Sequence, residues 1–300
     1  MPDGSAAAPA SKLDPIVRAG LWMLGSLLTF ALMAVSGREL SREVSTFQVL
    51  VFRSMVGLPV TIALILYFNR SLFRTRHIGT HLVRNSSHFC GQWGWFYGIS
   101  TIPLAEVFAI EFTAPVWTTV FAMLILGERF TFARGIAVLM GFIGAIIILR
   151  PGASVIHPAA LVVLGASFLY AFAHTYTKKL SGLDRPLTIL FYMMLIQLAL
   201  GLWPALSRWV TPSPHLWPWI LSIGLTALIA QYCLTRALAL ADAIVVMPMD
   251  FLRMPLIAVV GLVAYGEYVS PWVFIGAAVI VAGLLYSLQA ERRRTAPAPQ

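Results

Sequence analysis

Charge is scarce in this chain of 300 residues. Only 11% of the residues are charged, whereas soluble domains keep about a quarter, and 59% are hydrophobic. This shortage, with a mean hydropathy of +0.83, excludes an ordinary water-soluble domain. Cysteine is also rare: Cys90 and Cys233 both lie inside apolar runs, which excludes a disulfide framework and predicts small, buried packing residues.

Several chemical motifs are missing as well. No Gly-x-x-x-x-Gly-Lys phosphate loop occurs, so nucleotide hydrolysis is not expected to supply energy. The acidic residues are scattered rather than clustered, which disfavours a polytopic enzyme acting on lipids or lipid-linked substrates, although that class stays as the alternative function. His77 and His81 have the spacing of a zinc pair but no third ligand nearby, so we expect neither a metal nor a cofactor.

Long apolar runs fill the chain instead. A helix needs roughly 20 mostly apolar residues to cross a bilayer. Because the runs are continuously apolar rather than alternating, we predict an all-α integral membrane protein with ten transmembrane helices, embedded in the lipid bilayer. The predicted spans are 16–36, 46–68, 80–101, 104–126, 132–150, 158–178, 186–207, 215–238, 242–265 and 271–289.

The net charge of +9 is distributed unevenly between the loops, which predicts orientation rather than a nucleic-acid partner. One side keeps only Arg38, Arg42, Arg150 and Arg208. Because the basic side should face the cytoplasm, we predict a multi-pass protein of the cell (inner) membrane with both termini cytoplasmic. That side collects Lys12, Arg18, Arg70, Arg74, Arg76, Arg129, Arg134, Lys178, Lys179, Arg185, Arg292, Arg293 and Arg294.

The two halves of the chain resemble each other at an offset of 139 residues. Gly127-Glu128 falls on Gly266-Glu267, and Glu111-Phe112 falls on Asp250-Phe251. A unit of five spans is odd, so the second copy must enter the membrane from the opposite side, as in many secondary transporters. The predicted organisation is a disordered tail (1–15), two inverted five-helix repeats (16–150 and 158–289) and a basic cytoplasmic tail (290–300).

Several of these stretches resemble EamA-type carriers of the drug/metabolite transporter superfamily. The stretch Ile102 to Trp117, running on to Leu126-Gly-Glu-Arg-Phe-Thr, is similar to the family's fourth-span signature. Phe52-Arg53 and Tyr265-Gly-Glu-Tyr-Val-Ser resemble the same family. The resemblance implies ten helices, two tandem repeats, cytoplasmic termini and carriage of small metabolites. The second half has no Arg matching Arg53, which weakens any inference of a symmetric binding site.

Five charged side chains are predicted at bilayer depth, where each must face a cavity or a partner. Glu111 and Asp250 are candidates for proton coupling, since burial raises the pKa of a carboxyl group. Arg53, Glu106 and Arg253 are candidate substrate contacts. The alternatives are that each glutamate is paired permanently with an arginine of a neighbouring helix, and that Asp250 and Arg253 neutralise one another.

The third span is the most polar, and its polar residues recur at intervals of three and four, which places them on one helix face. Such a face is typical of a wet cavity open to the cytoplasm. Interior aromatic residues either line the same cavity or serve in packing. The candidate substrate contacts from these two groups are His88, Gln92, Trp95, Trp117, His174 and Tyr192.

These features together predict a secondary active transporter. It would move a small polar metabolite, amino-acid-like or zwitterionic, by alternating access, with efflux as one direction and with ion coupling, proton coupling or exchange supplying the energy. Gly141, Gly144, Gly276 and Gly283 would let helices approach closely. They either pack the two halves together or join two protomers of a homodimer.

Overall fold

The computed structural model describes residues 15–127, 131–149, 157–240 and 253–295. Within these ranges the chain forms helices, turns and loops, with no strand. Two short 3₁₀ helices span Arg70–Phe73 and Pro214–Leu216. The α-helices are α1 (Pro15–Leu40), α2 (Thr46–Phe68), α3 (Ile78–Thr101), α4 (Leu104–Glu111), α5 (Ala114–Leu126), α6 (Phe132–Leu149), α7 (Pro158–Ser181), α8 (Pro186–Leu206), α9 (Trp217–Leu240), α10 (Arg253–Tyr265) and α11 (Pro271–Thr295).

The helices have the length and surface of membrane spans. Apolar side chains lie on the outside as well as in the core: Leu21, Leu24, Leu28 and Leu32 follow one face of α1 and are all exposed. Soluble monomers rarely expose so much contiguous apolar surface, so lipid is the surrounding solvent. Six segments are long and apolar enough to cross a membrane, namely Val17–Leu40, Thr46–Phe68, Leu104–Leu126, Pro158–Leu180, Pro186–Leu206 and Pro214–Leu234, and Gly135–Ile148, Leu256–Tyr265 and Pro271–Gly283 are shorter apolar stretches.

Helix α3 is long enough to cross a membrane, but it is too polar to be counted among those six segments. Its polar side chains turn inward, and His81, Arg84 and Asn85 are all buried. Leu82 and Val83, on the other face, are exposed. The predicted polar stripe is therefore enclosed by protein. The prediction that both cysteines are buried is half correct: Cys233 is buried, but Cys90 on α3 is exposed.

The fourth predicted span is broken into two helices. Helix α4 ends at Glu111 and α5 begins at Ala114. Pro115 lacks the N–H that would bond the carbonyl of Glu111, and a proline ring clashes with the carbonyl four residues earlier. Thr113 occupies the break, and its hydroxyl donates to the carbonyl oxygen of Ile110 at 2.7 Å.

The repeat seen in the sequence is also present in the helix boundaries. Two pairs of helices begin 139 residues apart, α3 with α9 and α6 with α11, and α5 and α10 end 139 residues apart. Both α5 and α10 are followed by a glycine with positive φ, Gly127 at 69° and Gly266 at 63°. Glycine adopts this conformation without the steric cost that other residues incur, so both helices end by the same device.

The halves pack against each other through antiparallel helix pairs, namely α1 with α9, α3 with α7, α2 with α8, and α6 with α11. Exchanging the two halves leaves this set of pairs unchanged. In the α6–α11 pair, a Cβ on Gly144 would lie 2.6 Å from the carbonyl oxygen of Gly276, and the reverse distance is also 2.6 Å. These glycines therefore pack the halves of one chain together.

The two ends of the helices differ in charge. One end, here called the basic face, carries Arg70, Arg74 and Arg76 between α2 and α3 and Lys178, Lys179 and Arg185 near the α7–α8 turn. The other end, the opposite face, carries the α1–α2, α3–α4, α8–α9 and α10–α11 connections. The hydrophobic core lies between them, where α3, α4 and α7 meet around fully buried Phe96, Ile99 and Phe108.

Candidate functional site

A buried arginine ties the two halves together at the centre of the bundle. Arg53, on α2, is only 3% exposed. Its Nη1 donates to Oε1 of Gln92 on α3 at 2.8 Å and to Oε1 of Gln197 on α8 at 2.8 Å. Gln197 belongs to the second half. Arg53 Nε is buried with no hydrogen-bond partner in the part of the chain that the structure describes.

A row of rings continues from this arginine. Gln197 Nε2 lies 2.8 Å from Nδ1 of His88, and because an amide nitrogen only donates, Nδ1 accepts. The His88 ring meets Tyr170 edge-on at 5.3 Å, and Tyr170 stacks on His174 at 6.1 Å. His88 and Tyr170 are half-buried and His174 is exposed, so the row is accessible to small molecules.

A second buried arginine lies on the same face of α3. Arg84 is 5% exposed; its Nε donates to Thr177 Oγ1 at 3.0 Å and its Nη1 to Asn85 Oδ1 at 2.6 Å. Asn85 is fully buried, and among the described residues its Nδ2 has no acceptor. Arg84 lies one helical turn from His88, which is joined to Arg53 through Gln197, so the two positive charges are near each other.

Glu111 is held at the break in the fourth span. Trp95 Nε1 donates to its Oε2 at 2.8 Å, and Nη2 of Arg253 lies 3.6 Å from its Oε1. The Arg253 guanidinium also lies 5.0 Å from the ring centre of Phe30 and 5.2 Å from that of Phe108, at cation–π distance. Glu111 is therefore the carboxylate with which Arg253 pairs in the part of the chain that the structure describes.

Tyr170 joins these groups into one site. Its ring contacts those of His88 and His174, and Arg53, Glu111 and Arg253 are near enough to act electrostatically on its hydroxyl. We call the whole set the central polar layer: Arg53, Arg84, Asn85, His88, Gln92, Trp95, Glu111, Tyr170, His174, Gln197 and Arg253.

The structure brings together seven of the predicted site residues and places three elsewhere. Glu106 lies in the first turn of α4, near His157 at the opposite face. Trp117 packs against Phe142 and Phe168, with ring centres 4.9 and 5.4 Å away, beside an apolar pocket of about 110 Å³. The remaining two predicted residues are Tyr192, which lies at the basic face, and Asp250, which is outside the described residues.

Four members of the layer were not among the predicted site residues: Arg84, Asn85, Tyr170 and Gln197. Arg84 and Asn85 lie on or beside the polar stripe of α3. A charged and an amide side chain within a membrane span could have identified them as site residues. Gln197 is a single polar residue in an apolar run, which is a signal in principle. Nothing in the sequence shows that its amide meets Arg53, because the two residues are far apart along the chain.

A cleft of about 670 Å³ opens at the basic face, and Arg74, Arg76, Asp184 and Tyr192 are among its lining residues. Asp184 accepts hydrogen bonds from Thr75 Oγ1 at 2.6 Å and His81 Nε2 at 2.8 Å. Burial works against ionisation of this carboxyl group, but the bonds from Thr75 and His81 outweigh burial and lower its pKa. His81, which contacts Asp184 of this cleft, lies three residues before Arg84 of the layer on α3.

The opposite face is held by ion pairs instead, in what we call the opposite-face cluster (Arg38, Glu39, Arg42, Tyr265 and Glu267). Arg38 pairs with Glu267. Glu267 Oε2 also accepts from the backbone N–H at the start of α4 at 2.8 Å, so its carboxylate links both halves. Tyr265 donates to Glu39 at 3.0 Å, and Arg42 pairs with Glu39 at 2.9 Å.

A further carboxylate at the opposite face resembles Asp184 in its contacts. Glu43, between α1 and α2, accepts from the backbone N–H of Ser213 at 3.1 Å and lies 3.3 Å from His215 Nε2. The hydrogen bonds from Ser213 lower its pKa. Each of these acids thus bridges a loop of one half to a loop of the other, at opposite ends of the bundle.

Comparison with known proteins assigns the family. The profile of the EamA-like transporter family matches residues 17–150 and again 157–289, which together cover most of the chain. The chain belongs to the EamA-like transporter family. It is thus a multi-pass membrane transporter of small metabolites rather than an enzyme, with the family's two-repeat architecture.

Named relatives of this EamA-like transporter carry different compounds. A riboflavin transporter of Vibrio cholerae is 30% identical over 93% of this chain and 95% of its own length. An S-adenosylmethionine uptake transporter of Rickettsia prowazekii is 24% identical over 91% of this chain and 92% of its own. The pseudopaline exporter CntI of Pseudomonas aeruginosa is 28% identical over 73% of this chain and 77% of its own.

A solved crystal structure has the same fold. It superposes with a TM-score of 0.66 over 93% of this chain and 99% of that chain, at 18% identity. At that identity the likeness concerns the fold alone.

Proposed function

We propose that this EamA-like transporter is a secondary carrier that moves a small polar, amino-acid-like or zwitterionic metabolite by alternating access. The supporting observation is the hydrogen bonding of Arg53, which reaches Gln92 in one half and Gln197 in the other. A substrate that binds Arg53 in place of these amides would loosen the contact between the halves. Binding would thereby be linked to their relative movement.

The proposal includes ten crossings and an inverted second half. Six apolar spans, three shorter apolar stretches and α3 make up the ten. The antiparallel packing of the equivalent helices α2 and α8 supports inversion, since equivalent helices of a non-inverted repeat would point the same way. By the positive-inside rule the basic face is cytoplasmic. Tags in 182–185 and in 267–270 should therefore be labelled from opposite sides of the membrane; labelling from one side would contradict the scheme.

The difference between the two faces suggests which side of the proposed carrier is open. The basic face has an open cleft, whereas Arg38 and Glu267 join the halves at the opposite face. A carrier in this arrangement is open to the cytoplasm and closed to the outside. Opening the outer side would break the opposite-face cluster, and the cleft would close.

Glu111 is the proposed proton-coupling residue. It shares its two carboxylate oxygens between Trp95 and Arg253, and protonation would weaken the attraction to Arg253. Asp250, its equivalent in the second half, is the other candidate. In proteoliposomes with an imposed pH gradient, Glu111→Gln should lose the proton dependence of transport. Transport by this variant that is equal to the parent and still proton-dependent would remove Glu111 from that role.

The substrate and its direction require a test that assumes neither. Relatives are named as transporters of riboflavin, S-adenosylmethionine and pseudopaline, and both uptake and export occur among the names. We would compare metabolites inside and outside cells that lack the protein, contain it, or contain an equal amount of Arg53→Gln. At least one small polar metabolite should redistribute with the parent only. An unchanged distribution with the parent present in the membrane would contradict the carrier function.

A further inference from the structure

We infer that the substrate carries an oxyanion, a carboxylate or phosphate group, that binds between Arg53 and Arg84 of the central polar layer. The inference rests on the proposed carrier function and narrows its substrate class to metabolites that carry a carboxylate or phosphate group. It is argued from charge balance, from buried donors and from the approach to the layer.

The charge balance of the layer is positive among the described residues. Arg253 is matched by Glu111 at 3.6 Å. Arg53 and Arg84 have no carboxylate within 4.0 Å in residues 15–127, 131–149, 157–240 and 253–295; they bind only neutral amides and a hydroxyl. A guanidinium keeps its charge in proteins, and two uncompensated charges at this depth are expensive. An anionic ligand between them would neutralise the charge that the described residues leave uncompensated.

Within the described residues, two buried hydrogen-bond donors at these arginines lack acceptors, one on Arg53 itself and one on Asn85, which accepts from Arg84. Arg53 Nε and Asn85 Nδ2 are buried, and in the described part of the chain neither has a partner. Arg53 is 3% exposed and Asn85 fully buried, so bulk water does not compensate. A buried donor without an acceptor carries a penalty that a carboxylate or phosphate oxygen would relieve. Arginine also binds both groups through two parallel N–H bonds.

The basic face, from which α3 begins, carries the same sign of charge as this pair. The cleft at the basic face is lined by Arg74, Arg76 and His77, with Asp184 as its acidic member. Asp184 is engaged by Thr75 and His81, which leaves the basic side chains to dominate the entrance. A positively charged entrance raises the local concentration of an anion and lowers that of a cation.

Three probes of one shape and different charge test the inference. Benzoate, benzamide and benzamidine are planar and nearly isosteric, with charges of minus one, zero and plus one; phenyl phosphate replaces the carboxylate by a phosphate. The full-length protein in phosphatidylcholine nanodiscs would be heated with each probe, and the unfolding midpoint followed at constant ionic strength. Benzoate or phenyl phosphate should raise the midpoint in a saturable manner, and the larger shift identifies which oxyanion fits. Benzamide and benzamidine should not raise it.

Variants assign the shift to the pair. Arg84→Gln should weaken the apparent affinity for the anionic probe roughly 10- to 100-fold, as expected for loss of a charged hydrogen-bonding group. Arg84→Lys keeps the positive charge but lacks the two parallel N–H donors of the guanidinium, so it should lose less of the affinity for the anionic probe. If Arg53→Gln folds, it should match Arg84→Gln. Arg208→Gln, at an exposed position outside the layer, is the matched control and should bind as the parent does.

Two results would overturn the inference: no saturable shift with either anionic probe, or equal binding by the parent and Arg84→Gln. Redistribution only of metabolites that lack a carboxylate or phosphate group in the cellular comparison would also overturn it, while leaving the carrier function intact. Conversely, an Arg84-dependent benzoate shift without any redistribution would support the anion site and contradict the carrier function. The two proposals therefore fail separately.

Discussion

The helix pairs α3–α7 and α1–α9 occupy equivalent places in the two halves, but their contacts differ. Between α3 and α7, Arg84 bonds to Thr177 inside the bundle. Between α1 and α9 the polar contacts are small: Ser36 and Ser222 meet at 2.8 Å. The residue 139 positions after Arg84 is Ile223, which is fully buried. The equivalent position is thus packed without a charge, although Arg236 of α9 lies 5.8 Å from the ring centre of Trp22 elsewhere in the same pair. Arg84 is therefore not required for the helix pair to form.

The pair α6–α11 gives the complementary case. There the contact is symmetric between the halves: Gly144 lies on Gly276, and the equivalent residues Gly283 and Ala137 also meet, with a Cβ on Gly283 only 3.4 Å from Ala137 Cα. Backbone approach of this kind depends on shape alone. The molecule therefore has a symmetric framework for packing and an asymmetric set of polar residues for the ligand.

The largest expected effect comes from making α3 resemble α9 at one position. Arg84→Ile should leave the helix pair intact because Ile223 fills the equivalent place, but should lower metabolite redistribution roughly 10- to 100-fold, the loss expected for a charged contact. Redistribution at equal membrane abundance is the measurement, with Ile223→Val as the control. Full activity of Arg84→Ile would place the ligand site elsewhere.

The symmetric framework should respond through stability instead. A Cβ on Gly276 would lie 2.6 Å from a backbone oxygen, so Gly276→Ala should destabilise the protein by about 1–3 kcal/mol, as overpacking does. On Gly283 the nearest atom would be Cβ of Met140 at 2.7 Å, and the backbone of Ala137 would lie 3.4 Å away, so Gly283→Ala should cost less. Gly165→Ala, which meets nothing within 4 Å, is the control. Thermal unfolding in detergent ranks the three, and equal midpoints would contradict the close crossing.

The opposite-face cluster contrasts one enclosed ion pair with one exposed pair. Glu267→Gln removes the charge that Arg38 and the first N–H of α4 share, and should cost about 1.5 kcal/mol in stability. It should also speed labelling of a cysteine placed at Leu104 from outside. Arg42→Gln, whose side chain is 63% exposed, should change little, since exposed pairs contribute about 0–1 kcal/mol. Equal labelling rates in the parent and Glu267→Gln would show that this pair does not close the outer side.

Asp184 and Glu43 bridge loops at the two ends of the bundle, so their variants allow the two ends to be compared. Asp184 is the more enclosed, with 11% of its side chain exposed against 30% for Glu43. The pKa of Asp184 is lower in the folded protein than in the unfolded chain, where it is about 3.9. The stability that its ionised carboxylate contributes is therefore complete above about pH 3.9 and is lost as the pH falls through the folded pKa. Asp184→Asn should therefore cost about 1 kcal/mol at neutral pH, and the difference from the parent should shrink below pH 4.

Glu43→Gln should follow the same pH trend with a smaller effect, because its carboxylate is more exposed. Unfolding midpoints of both variants measured across acidic pH are the test. A larger loss for Glu43→Gln, or a difference that grows on acidification, would contradict the assignment of the two bridges.

The smallest effect is expected in the α1–α9 pair. Ser222→Ala removes one hydroxyl contact with Ser36 and should cost roughly 0.5 kcal/mol, with no change in metabolite redistribution. Unfolding midpoint and redistribution are measured together. Loss of redistribution in Ser222→Ala would show that α1–α9 also takes part in binding, and the asymmetry argued above would then be wrong.

The sequence by itself determined the helical class, the family and the offset of the repeat. Hydropathy depends on local composition, and glycines such as Gly127 and Gly266 mark equivalent turns because few other residues adopt positive φ. The polar stripe of α3 was predicted for the same reason, since spacing of three and four residues depends only on helix geometry.

The tertiary structure alone decided which polar groups meet. Arg53 and Gln197 are 144 positions apart, and Trp95 on α3 meets Glu111 at the end of α4. Glu106, with the same chemistry as Glu111, is placed at the opposite face. Such contacts depend on the orientation of whole helices, which is set by the close approach of Gly144 to Gly276 and by many apolar contacts together, and no short stretch of sequence encodes it.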